Sequence, residues 1–371
     1  MTTATPAHTG PAHTGPAHTG PAQTGPAHTG PAHTGPAQTG PAHTGPASAP
    51  TPAPAPAPVQ PAPIPLATAP IPLPPAAVRR VLETAYAEDA PSGDLTSLLL
   101  IPAGARATAE LRARVPGVFA GGPVVEAGFL MHDADASVDL LVAEGEAFDA
   151  GAVLARITCG ARALLTAERV VLNLVQRMSA IAALTAQYVA LTAGTRARIV
   201  DTRKTTPGLR ELERYAVRCG GGRNHRFSLS DAVMAKDNHL AVLTGGDDSK
   251  LTGVLRAAKE RLGHTTCFEV EVDRIAQIEP VLAAGVDTIM LDNFTPAQLR
   301  EGVALVAGRA TVEASGGVIL ATVAEIAATG VDVISVGALT HSVVNLDLGL
   351  DVTLDAGAGA QPRPRPTQVT P

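Results

Sequence analysis

The sequence predicts an α/β protein in which an incomplete parallel (β/α) barrel follows a smaller α+β domain. From residue 197 onward, strand-like and helix-like segments alternate with a repeat of about 20 residues, which is typical of parallel strands joined by right-handed crossovers. Polar residues stand at or just after the ends of successive strands, where the active sites of parallel barrels lie. Before residue 161, a helix and shorter alternating stretches indicate a separate, mixed domain.

The first 76 residues have a very different composition. They carry no charged side chain, and residues 6–45 are eight copies of Pro-Ala-His-Thr-Gly or Pro-Ala-Gln-Thr-Gly, followed by a Pro/Ala run. Proline at this density removes the backbone donors that helices and sheets need, so we expect a disordered, partly polyproline-II arm. Weak metal binding by its histidines is the less favoured alternative, because His alternates with Gln in the repeat. The Gly/Pro-rich residues 357–371 are also expected to be disordered.

Composition argues against several functional classes. The 3 cysteines are widely spaced and form neither a zinc pattern nor a disulfide framework, which fits a reducing cytoplasm. No uninterrupted apolar run is long enough to cross a bilayer, and the arm has neither a signal-peptide nor a transit-peptide pattern. A net charge of −6 with 2% aromatic residues argues against nucleic-acid binding. We therefore expect a cytoplasmic protein without nucleic-acid or membrane partners.

The small domain is predicted from four elements. A helix over residues 77–88 precedes the turn Ala90–Asp94. Alternating apolar and polar residues over 107–115 and 153–159 predict strands with one buried face. The helix over residues 164–192 is apolar around most of its circumference, so it should be buried widely.

In the barrel, each strand is predicted from a short apolar run and each helix from the longer segment after it. The strand segments are residues 197–201, 267–272, 287–291, 310–314 and 331–336. The helix segments are residues 208–219, 249–262, 275–284, 296–307 and 320–328. Five or six parallel strands are fewer than the eight of a closed barrel, so the barrel should be incomplete.

Three polar residues of the long helix, Arg169, Asn173 and Gln176, lie on one stripe at spacings of four and three residues. Two interpretations stay open. The stripe is either a solvent-exposed polar edge or a polar face directed at a functional site or a subunit interface.

Residues 201–239 concentrate positive charge in an acidic chain. This segment holds eight of the 28 Lys and Arg residues but only five of the 34 Asp and Glu residues. Such fixed cations indicate an anionic ligand, either a phosphate or a carboxylate. A Schiff-base role for Lys204 is a less favoured alternative, because so many neighbouring cations indicate charge neutralisation. Three glycines at 220–222 allow a sharp bend before the cations at Arg223 and Arg226.

Two Gly-containing loops follow the last two predicted strands, at residues 315–317 and 337–339. Small residues let backbone N–H groups approach an anion closely, so the pair predicts a phosphate site, although a single Gly-rich turn would be weak evidence. Glu271 and Asp292 stand at the ends of neighbouring strands. They could bind ribose hydroxyls or Mg²⁺, or form strand-end salt bridges with the cationic segment.

Several motifs resemble those of the quinolinate phosphoribosyltransferases, and they occur in the right order over about residues 77–353. They are Asp201-Thr-Arg-Lys-Thr-Thr-Pro-Gly-Leu-Arg, Gly-Gly-Gly-Arg-Asn-His225-Arg226, Lys236-Asp-Asn-His239, Glu88-Asp-Ala-Pro-Ser-Gly93-Asp94-Leu-Thr96, Glu168-Arg169-Val-Val-Leu-Asn173, Glu269-Val-Glu271-Val-Asp273, Leu291-Asp292-Asn293 and Gly337-Ala-Leu-Thr-His341-Ser. The first motif is the most specific, and the N-terminal arm lies outside the family pattern.

The resemblance implies an N-terminal α/β-sandwich domain and an open α/β barrel, assembled as a homodimer or higher with shared active sites. The reaction it implies joins quinolinate to phosphoribosyl pyrophosphate with Mg²⁺, yielding nicotinate mononucleotide, pyrophosphate and CO₂ for NAD biosynthesis. We place the arm at residues 1–76, the sandwich at 77–180, the barrel at 181–340, a return to the first domain at 341–356 and the tail at 357–371.

The resemblance also implies roles for individual residues. Arg203, His225, Arg226 and Lys236 match the quinolinate-binding positions, and Arg169 is expected to reach across from the other subunit. Lys204 and Lys236 would face the pyrophosphate, whereas Glu271 and Asp292 would bind the ribose and Mg²⁺, directly or through water. The remaining substrate-binding positions are Thr202 and the phosphate loops Ser315, Gly316, Gly317, Gly337, Ala338 and Leu339. The implied catalytic residues are Lys204, Lys236, Glu271 and Asp292.

Two other functions remain open at this level. A paralogue associated with molybdenum-transport operons has the same fold and phosphoribosyl site, but the complete set of quinolinate cations argues against it. A non-catalytic phosphate-ligand sensor on a decayed barrel is the other alternative. Decay should have removed some of Arg169, Lys204, Glu271 and Asp292, and all four are present.

Overall fold

One long helix joins two sheets in the computed structural model, which describes residues 71–354. The predicted arm, apart from its last six residues, and the predicted tail lie outside the described residues. The first helix begins at Pro75, two residues earlier than predicted, and Leu73 before it is buried in the core. Proline is favoured at the first helical position because its missing N–H would have no helical partner there.

The first domain is built on an antiparallel sheet. Its helices are α1 (Pro75–Asp89), α2 (Leu95–Leu100), α3 (Gly122–Leu130) and α4 (Ala161–Leu191), and its strands are β1 (Arg106–Ala113), β2 (Gly117–Val118), β3 (Ser137–Leu140), β4 (Ala147–Phe148) and β5 (Val153–Gly160). Strand β1 pairs with β5, and β5 pairs with β3, while β2 and β4 form a separate two-stranded sheet. The buried residues of β1 alternate with less buried ones, as predicted for a half-buried strand.

The second part is a parallel α/β unit. Its strands are β6 (Arg198–Val200), β7 (Val233–Ala235), β8 (Phe268–Val272), β9 (Thr288–Asp292), β10 (Thr311–Ser315) and β11 (Val333–Ser335). Its helices are α5 (Arg210–Cys219), α6 (Asp237–Thr244), α7 (Leu251–Lys259), α8 (Ile278–Ala283), α9 (Pro296–Val306), α10 (Leu320–Ala327) and α11 (Ala338–His341), with short 3-10 turns at Asp248–Lys250 and Ile275–Gln277. The strand order is β6-β11-β10-β9-β8-β7.

The sheet curls but does not close, as predicted. On its free side, Val200 of β6 forms a single parallel bridge with Arg223, which lies after α5. No strand pairing joins this bridge to β7 within residues 71–354. Strand β7 and helix α6 were not predicted, because the apolar run at Ala232–Ala235 is only four residues long and lies inside the polar, cationic segment.

The last strand, β12 (Leu348–Leu354), leaves the barrel and pairs antiparallel with β1 of the first sheet. The Gln176 side chain of α4 donates to the carbonyl oxygen of Leu348 at 2.7 Å, which fixes the start of this strand. The predicted domain boundary at residue 180 falls inside α4, so one continuous helix crosses it. None of the helices in the described part of the chain is both long and apolar enough to span a membrane.

Helix α5 contacts α4 closely at its carboxyl end. A Cβ atom on Gly220 would lie 2.3 Å from the carbonyl oxygen of Ala182 and 2.6 Å from Cβ of Thr185, both in α4. Only glycine therefore allows the chain to pass α4 and turn toward the bridge at Arg223.

We expect Gly220→Ala to lower the free energy of unfolding by about 1–3 kcal/mol, because the new methyl group overlaps the backbone of α4. The matched control is Gly253→Ala in α7, where an added Cβ meets no atom within 4 Å. That change should stabilise the protein by about 0.5–1 kcal/mol, since alanine favours a helix interior. Denaturant unfolding of both variants gives the comparison, and equal stability of the two would contradict the close contact.

Candidate active site

The carboxyl ends of the barrel strands surround a cleft of about 580 Å³. Because parallel strands end on one face, side chains that are far apart in sequence meet there. The residues that line it are Thr202, Arg203, Lys204, His225, Arg226, Met234, Lys236, Glu271, Met290, Asp292, Asn293, Glu313, Ser315, Gly316, Gly317 and Ser335.

Eleven of the fifteen predicted site residues line this cleft. The four that do not are Arg169, Gly337, Ala338 and Leu339. Leu339 is fully buried, so only its backbone could face a ligand. The structure thus brings the predicted cations, carboxylates and first phosphate loop together, while the role of each residue remains a prediction.

The two arginines of the cleft lie close enough to repel each other. Burial first, and then the charge of Arg203, lower the pKa of the Arg226 guanidinium, although arginine keeps its charge at neutral pH. The Nε atoms of both side chains are buried and have no hydrogen-bond partner. Arg226 is held by bonds from Nη1 to the Ala232 carbonyl oxygen at 3.0 Å and from Nη2 to Met234 Sδ at 3.5 Å. A bound anion would satisfy such a pair of cations.

His225 lies between two buried carboxylates that the sequence analysis did not assign to the site. Its Nε2 atom is 3.3 Å from Glu269 Oε2 and 3.4 Å from Glu313 Oε2. Burial alone would lower the pKa of the imidazole, but the bonds and charges of the two carboxylates outweigh burial and raise the pKa to about 10. Burial raises the pKa of Glu269, and the charge of Glu313 adds to this effect.

One contact opposes the charged form of His225. The backbone nitrogen of Arg226 lies 2.7 Å from Nδ1, a geometry in which Nδ1 would accept a hydrogen bond and the ring would be neutral. Two buried carboxylates outweigh one amide bond, because hydrogen bonds between ionised partners are about twice as strong. We therefore interpret His225 as an imidazolium at neutral pH.

His225, Glu269 and Glu313 are also the one group of three potential metal ligands that the structure brings together within residues 71–354, with ligand atoms within 4.8 Å of one another. A metal ion requires a neutral imidazole and would have to displace a tightly bound proton. Arg203 and Arg226 add positive charge to the same cleft. These charges favour a proton over a metal ion at this position.

A buried aspartate fixes the loop that carries His225 and Arg226. Asp201 directly follows β6 and is fully buried. Its Oδ1 atom accepts the backbone N–H of His225 at 2.7 Å, and its Oδ2 atom accepts Asn224 Nδ2 at 2.6 Å. Arg214 of α5 lies 3.5 Å from the same carboxylate and donates to the Arg226 carbonyl oxygen at 3.1 Å. Both ends of the loop are therefore tied to β6 and α5.

The two predicted metal-binding carboxylates differ in their surroundings. Glu271 of β8 is buried, and its Oε2 atom accepts Lys236 Nζ at 2.5 Å, so the alternative of a strand-end salt bridge is present here. Asp292, at the end of β9, is more exposed and accepts Asn293 Nδ2 at 2.6 Å. Both face the cleft, and the Lys236 side chain is 46% exposed, so it remains accessible to a ligand.

The loop after β10 depends on glycine. Gly316 has φ +87° and Gly317 has φ +60°, both in the left-handed region that side chains disfavour. A Cβ atom on Gly316 would lie 2.1 Å from Asn293 Oδ1, so any larger residue would collide with the loop after β9. This close approach leaves the backbone of Ser315–Gly317 open to the cleft, as an anion-binding loop requires.

The second predicted phosphate loop lies beside the cleft. A Cβ atom on Gly337 would be 3.1 Å from Cδ of Lys204, so the lysine packs directly on this loop. Lys204 is exposed, and no hydrogen bond or ion pair engages its ammonium group within residues 71–354. Ala338 begins the short helix α11.

The three polar residues of the α4 stripe have different surroundings. Arg169 and Asn173 are exposed, whereas Gln176 is tied to β12. Arg169 does not reach the cleft of its own chain.

Sequence reasoning missed Glu269 and Glu313 as site residues. Glu269 and Glu271 lie two residues apart in a strand whose five residues are all buried, so they share one face. Two carboxylates on one face of an apolar strand are unusual, and this pattern could have identified Glu269 together with Glu271. Glu313 lies two residues before Ser315 on the same face of β10, but it is the one carboxylate of that strand, so the same pattern does not mark it.

Two family models match almost the whole described part of the chain. Residues 94–179 match the family model described as quinolinate phosphoribosyl transferase, N-terminal domain, and residues 181–351 match the model of its C-terminal domain. The chain belongs to the quinolinate phosphoribosyltransferase family. The resemblance noted from the sequence motifs is thereby confirmed.

Members of this family are similar to the chain over nearly their whole length. The carboxylating nicotinate-nucleotide pyrophosphorylase of Mycobacterium leprae is 42% identical over 285 residues, covering 74% of this chain and 97% of that protein. A probable enzyme of the same name from Bacillus subtilis is 41% identical over 277 residues, covering 75% and 94%. The crystal structure of NadC from Streptococcus pyogenes superposes with a TM-score of 0.72 at 38% identity, covering 76% and 99%.

We expect the His225 ring to keep both protons well above neutral pH. Because its pKa is raised above the ordinary value of 6.5, the stabilisation from its charge is fully present below pH 6.5 and is lost as the pH rises to about 10. Ring nitrogen chemical shifts of His225, followed from pH 5 to about 10.5, measure this directly. A His225 ring that is neutral at pH 8 would contradict the proposed ion cluster.

Proposed function

We propose that the protein transfers the phosphoribosyl group of phosphoribosyl pyrophosphate to quinolinate, releasing pyrophosphate and CO₂ and forming nicotinate mononucleotide. The observation that carries this proposal is the cleft itself. It combines two arginines, a histidine and two lysines with three carboxylates and a glycine loop on one rim. Family membership, with relatives named as carboxylating nicotinate-nucleotide pyrophosphorylases, supports it.

The cations fit the two carboxylates of quinolinate. Arg203 and Arg226 have buried, unpartnered Nε atoms, and arginine can hold a carboxylate by two parallel bonds. His225 lies in the same cleft but is paired with Glu269 and Glu313, so the two arginines carry the charge that a ligand would balance. A monocarboxylate would leave one arginine without a partner, which supports a dicarboxylate as substrate.

The chemistry needs no covalent intermediate with the protein. The bond between ribose C1 and pyrophosphate breaks, and its electron pair leaves with the pyrophosphate, toward Lys204 and Lys236. The pyridine nitrogen then donates its electron pair to C1. The ring now carries a positive charge, so the bond between ring carbon 2 and its carboxylate can break and release CO₂. The electron pair of that bond stays on ring carbon 2, which then takes a proton from water. Holding both substrates in line supplies much of the rate.

We propose that Glu271 and Asp292 hold Mg²⁺, directly or through water. Carboxylate oxygens are the ligands that Mg²⁺ prefers, and the two side chains end neighbouring strands of the same cleft. The Oδ2 atom of Asp292 accepts the bond from Asn293, whereas its Oδ1 atom has no hydrogen-bond partner among the described residues. The bound ion would neutralise the charge of the pyrophosphate group. The same carboxylates can accept hydrogen bonds from the ribose hydroxyls.

We also propose a homodimer with shared active sites, in which Arg169 completes the cleft of the other subunit. Arg169 is exposed on α4 and lies outside the cleft of its own chain, although it belongs to a motif typical of the family. Helix α2 presents further apolar surface, with Leu95 69%, Leu99 81% and Leu100 73% exposed. Apolar side chains in this number on one short helix favour burial against a partner.

The test mixes the purified protein with quinolinate, phosphoribosyl pyrophosphate and Mg²⁺ and follows CO₂ and nicotinate mononucleotide. We expect activity that a chelator abolishes and Mg²⁺ restores. Arg226→Ala should lose quinolinate binding without unfolding, while Arg300→Ala, on the outer helix α9, should behave as the parent. Activity with nicotinate and none with quinolinate would overturn the proposed function. Unchanged quinolinate affinity in a folded Arg226→Ala protein would overturn the role of Arg226.

Shared sites predict complementation between inactive subunits. Arg169→Ala and Lys236→Ala should each be inactive as homodimers. Unfolding and refolding the two together should restore part of the activity, because a mixed dimer contains one site with neither substitution. Separate refolding of each variant is the control. No recovery from a mixture that demonstrably contains mixed dimers would show that Arg169 does not act across the interface.

A further inference from the structure

Arg177 of α4 connects three segments of the chain behind the cleft. Its Nε atom donates to Glu213 Oε1 of α5 at 2.7 Å. Its Nη2 atom donates to Thr206 Oγ1 at 2.9 Å and to the carbonyl oxygen of Thr340 at 2.7 Å. Glu213 is buried, with 1% of its side chain exposed, and its Oε2 atom accepts the backbone N–H of Thr206 at 3.2 Å. One ion pair thus holds α5, the loop after β6 and helix α11.

Both of the segments that Arg177 reaches carry predicted phosphate-binding groups. Thr206 lies two residues after Lys204 in the same loop. The hydroxyl of Thr340, a fully buried residue, donates to the carbonyl oxygen of Lys204 at 2.8 Å. Gly337, at the start of α11, packs against the Lys204 side chain. Arg177, Glu213 and Thr340 are not among the residues that line the cleft.

We propose that Arg177 and Glu213 are positioning residues for the phosphorylated substrate, acting through Thr206 and Thr340. This inference rests on the proposed function. The pair fixes the backbone of Lys204 relative to the loop at Gly337. The lysine ammonium group and the backbone N–H groups of the second phosphate loop therefore stay at a constant distance from each other. Two of the proposed quinolinate cations, His225 and Arg226, lie in another loop, where Asp201 accepts the His225 backbone N–H and Arg214 donates to the Arg226 carbonyl oxygen.

Because different residues hold the two loops, loss of the Arg177–Glu213 pair should affect the KM values of the two substrates differently. A looser Lys204 loop should weaken the contacts with phosphoribosyl pyrophosphate and with its departing pyrophosphate. The loop at His225 and Arg226 should move less, because Asp201 accepts the His225 backbone N–H and the Asn224 side chain without contacting Arg177. The KM for phosphoribosyl pyrophosphate should therefore rise and kcat should fall. The KM for quinolinate should rise less, because Arg203 lies in the Lys204 loop but His225 and Arg226 do not. A general loss of stability would not divide the two KM values in this way.

The experiment measures both KM values and kcat for Arg177→Lys, Thr340→Val and Thr340→Ser. Arg177→Lys keeps the charge that the buried Glu213 needs but loses one or two of the three bonds, because a single ammonium group replaces the planar guanidinium. Thr340→Val removes the hydroxyl, which donates to the carbonyl oxygens of Lys204 and Gly337, and Thr340→Ser restores it. We expect kcat/KM for phosphoribosyl pyrophosphate to fall about tenfold in the first two variants, since one or two hydrogen bonds are lost. The serine variant should recover most of the activity.

The matched control is Arg309→Lys, which alters an exposed Arg–Glu pair with Glu279 on the outside of the barrel and should leave all three parameters unchanged. An inactive parent protein would refute the proposed function. An active parent whose Thr340→Val variant has unchanged kinetics, or equal increases in both KM values, would overturn this inference alone.

Discussion

The structure depends on buried negative charge beneath a positively charged cleft. Asp201, Glu269 and Glu313 are each at least 95% buried, and each contacts His225 through its backbone or its ring. Buried carboxylates are costly unless they are paired or fully hydrogen-bonded. Here they offset the mutual repulsion of the cations above them, so that several positive groups can stand close together before any anionic ligand binds. The cleft is preorganised because this compensation is already part of the folded chain.

The long helix α4 contacts both the first domain and the barrel that carries the cleft. Its apolar residues pack against both domains, which explains why the helix is apolar around most of its circumference. Its polar residues have separate tasks: Gln176 anchors the returning strand β12, Arg177 pairs with Glu213, and Arg169 faces outward. The first domain therefore contributes to the barrel through a single rigid element.

The architecture follows from local patterns in the sequence, and most of the cleft residues follow from those patterns together with motifs that resemble a known family. Apolar runs gave five of the six barrel strands, and the polar residues at their ends identified Glu271, Asp292 and Ser315. Strand β7 was missed because three residues within a polar segment form a strand only when β8 is beside them. The contacts of Glu269 and Glu313 with His225 were out of reach as well, since they join three segments that are distant in the sequence. Distances of this kind are set by the curvature of the sheet and have no periodic signature.

The unclosed side of the barrel separates two halves of the site. Lys236, Glu271, Asp292 and Ser315 stand on or next to strands of the continuous ladder, and these are the groups proposed to serve the sugar-phosphate donor. His225 and Arg226 stand on the connector between the Arg223 bridge and β7, where no ladder fixes the backbone. A change in this connector can therefore alter part of the acceptor site, while Arg203 after β6 and Lys236 after β7 stay beside the donor groups. The open side gives the fold a means to acquire new acceptors by insertion or exchange of a few loop residues, while the same donor chemistry is inherited.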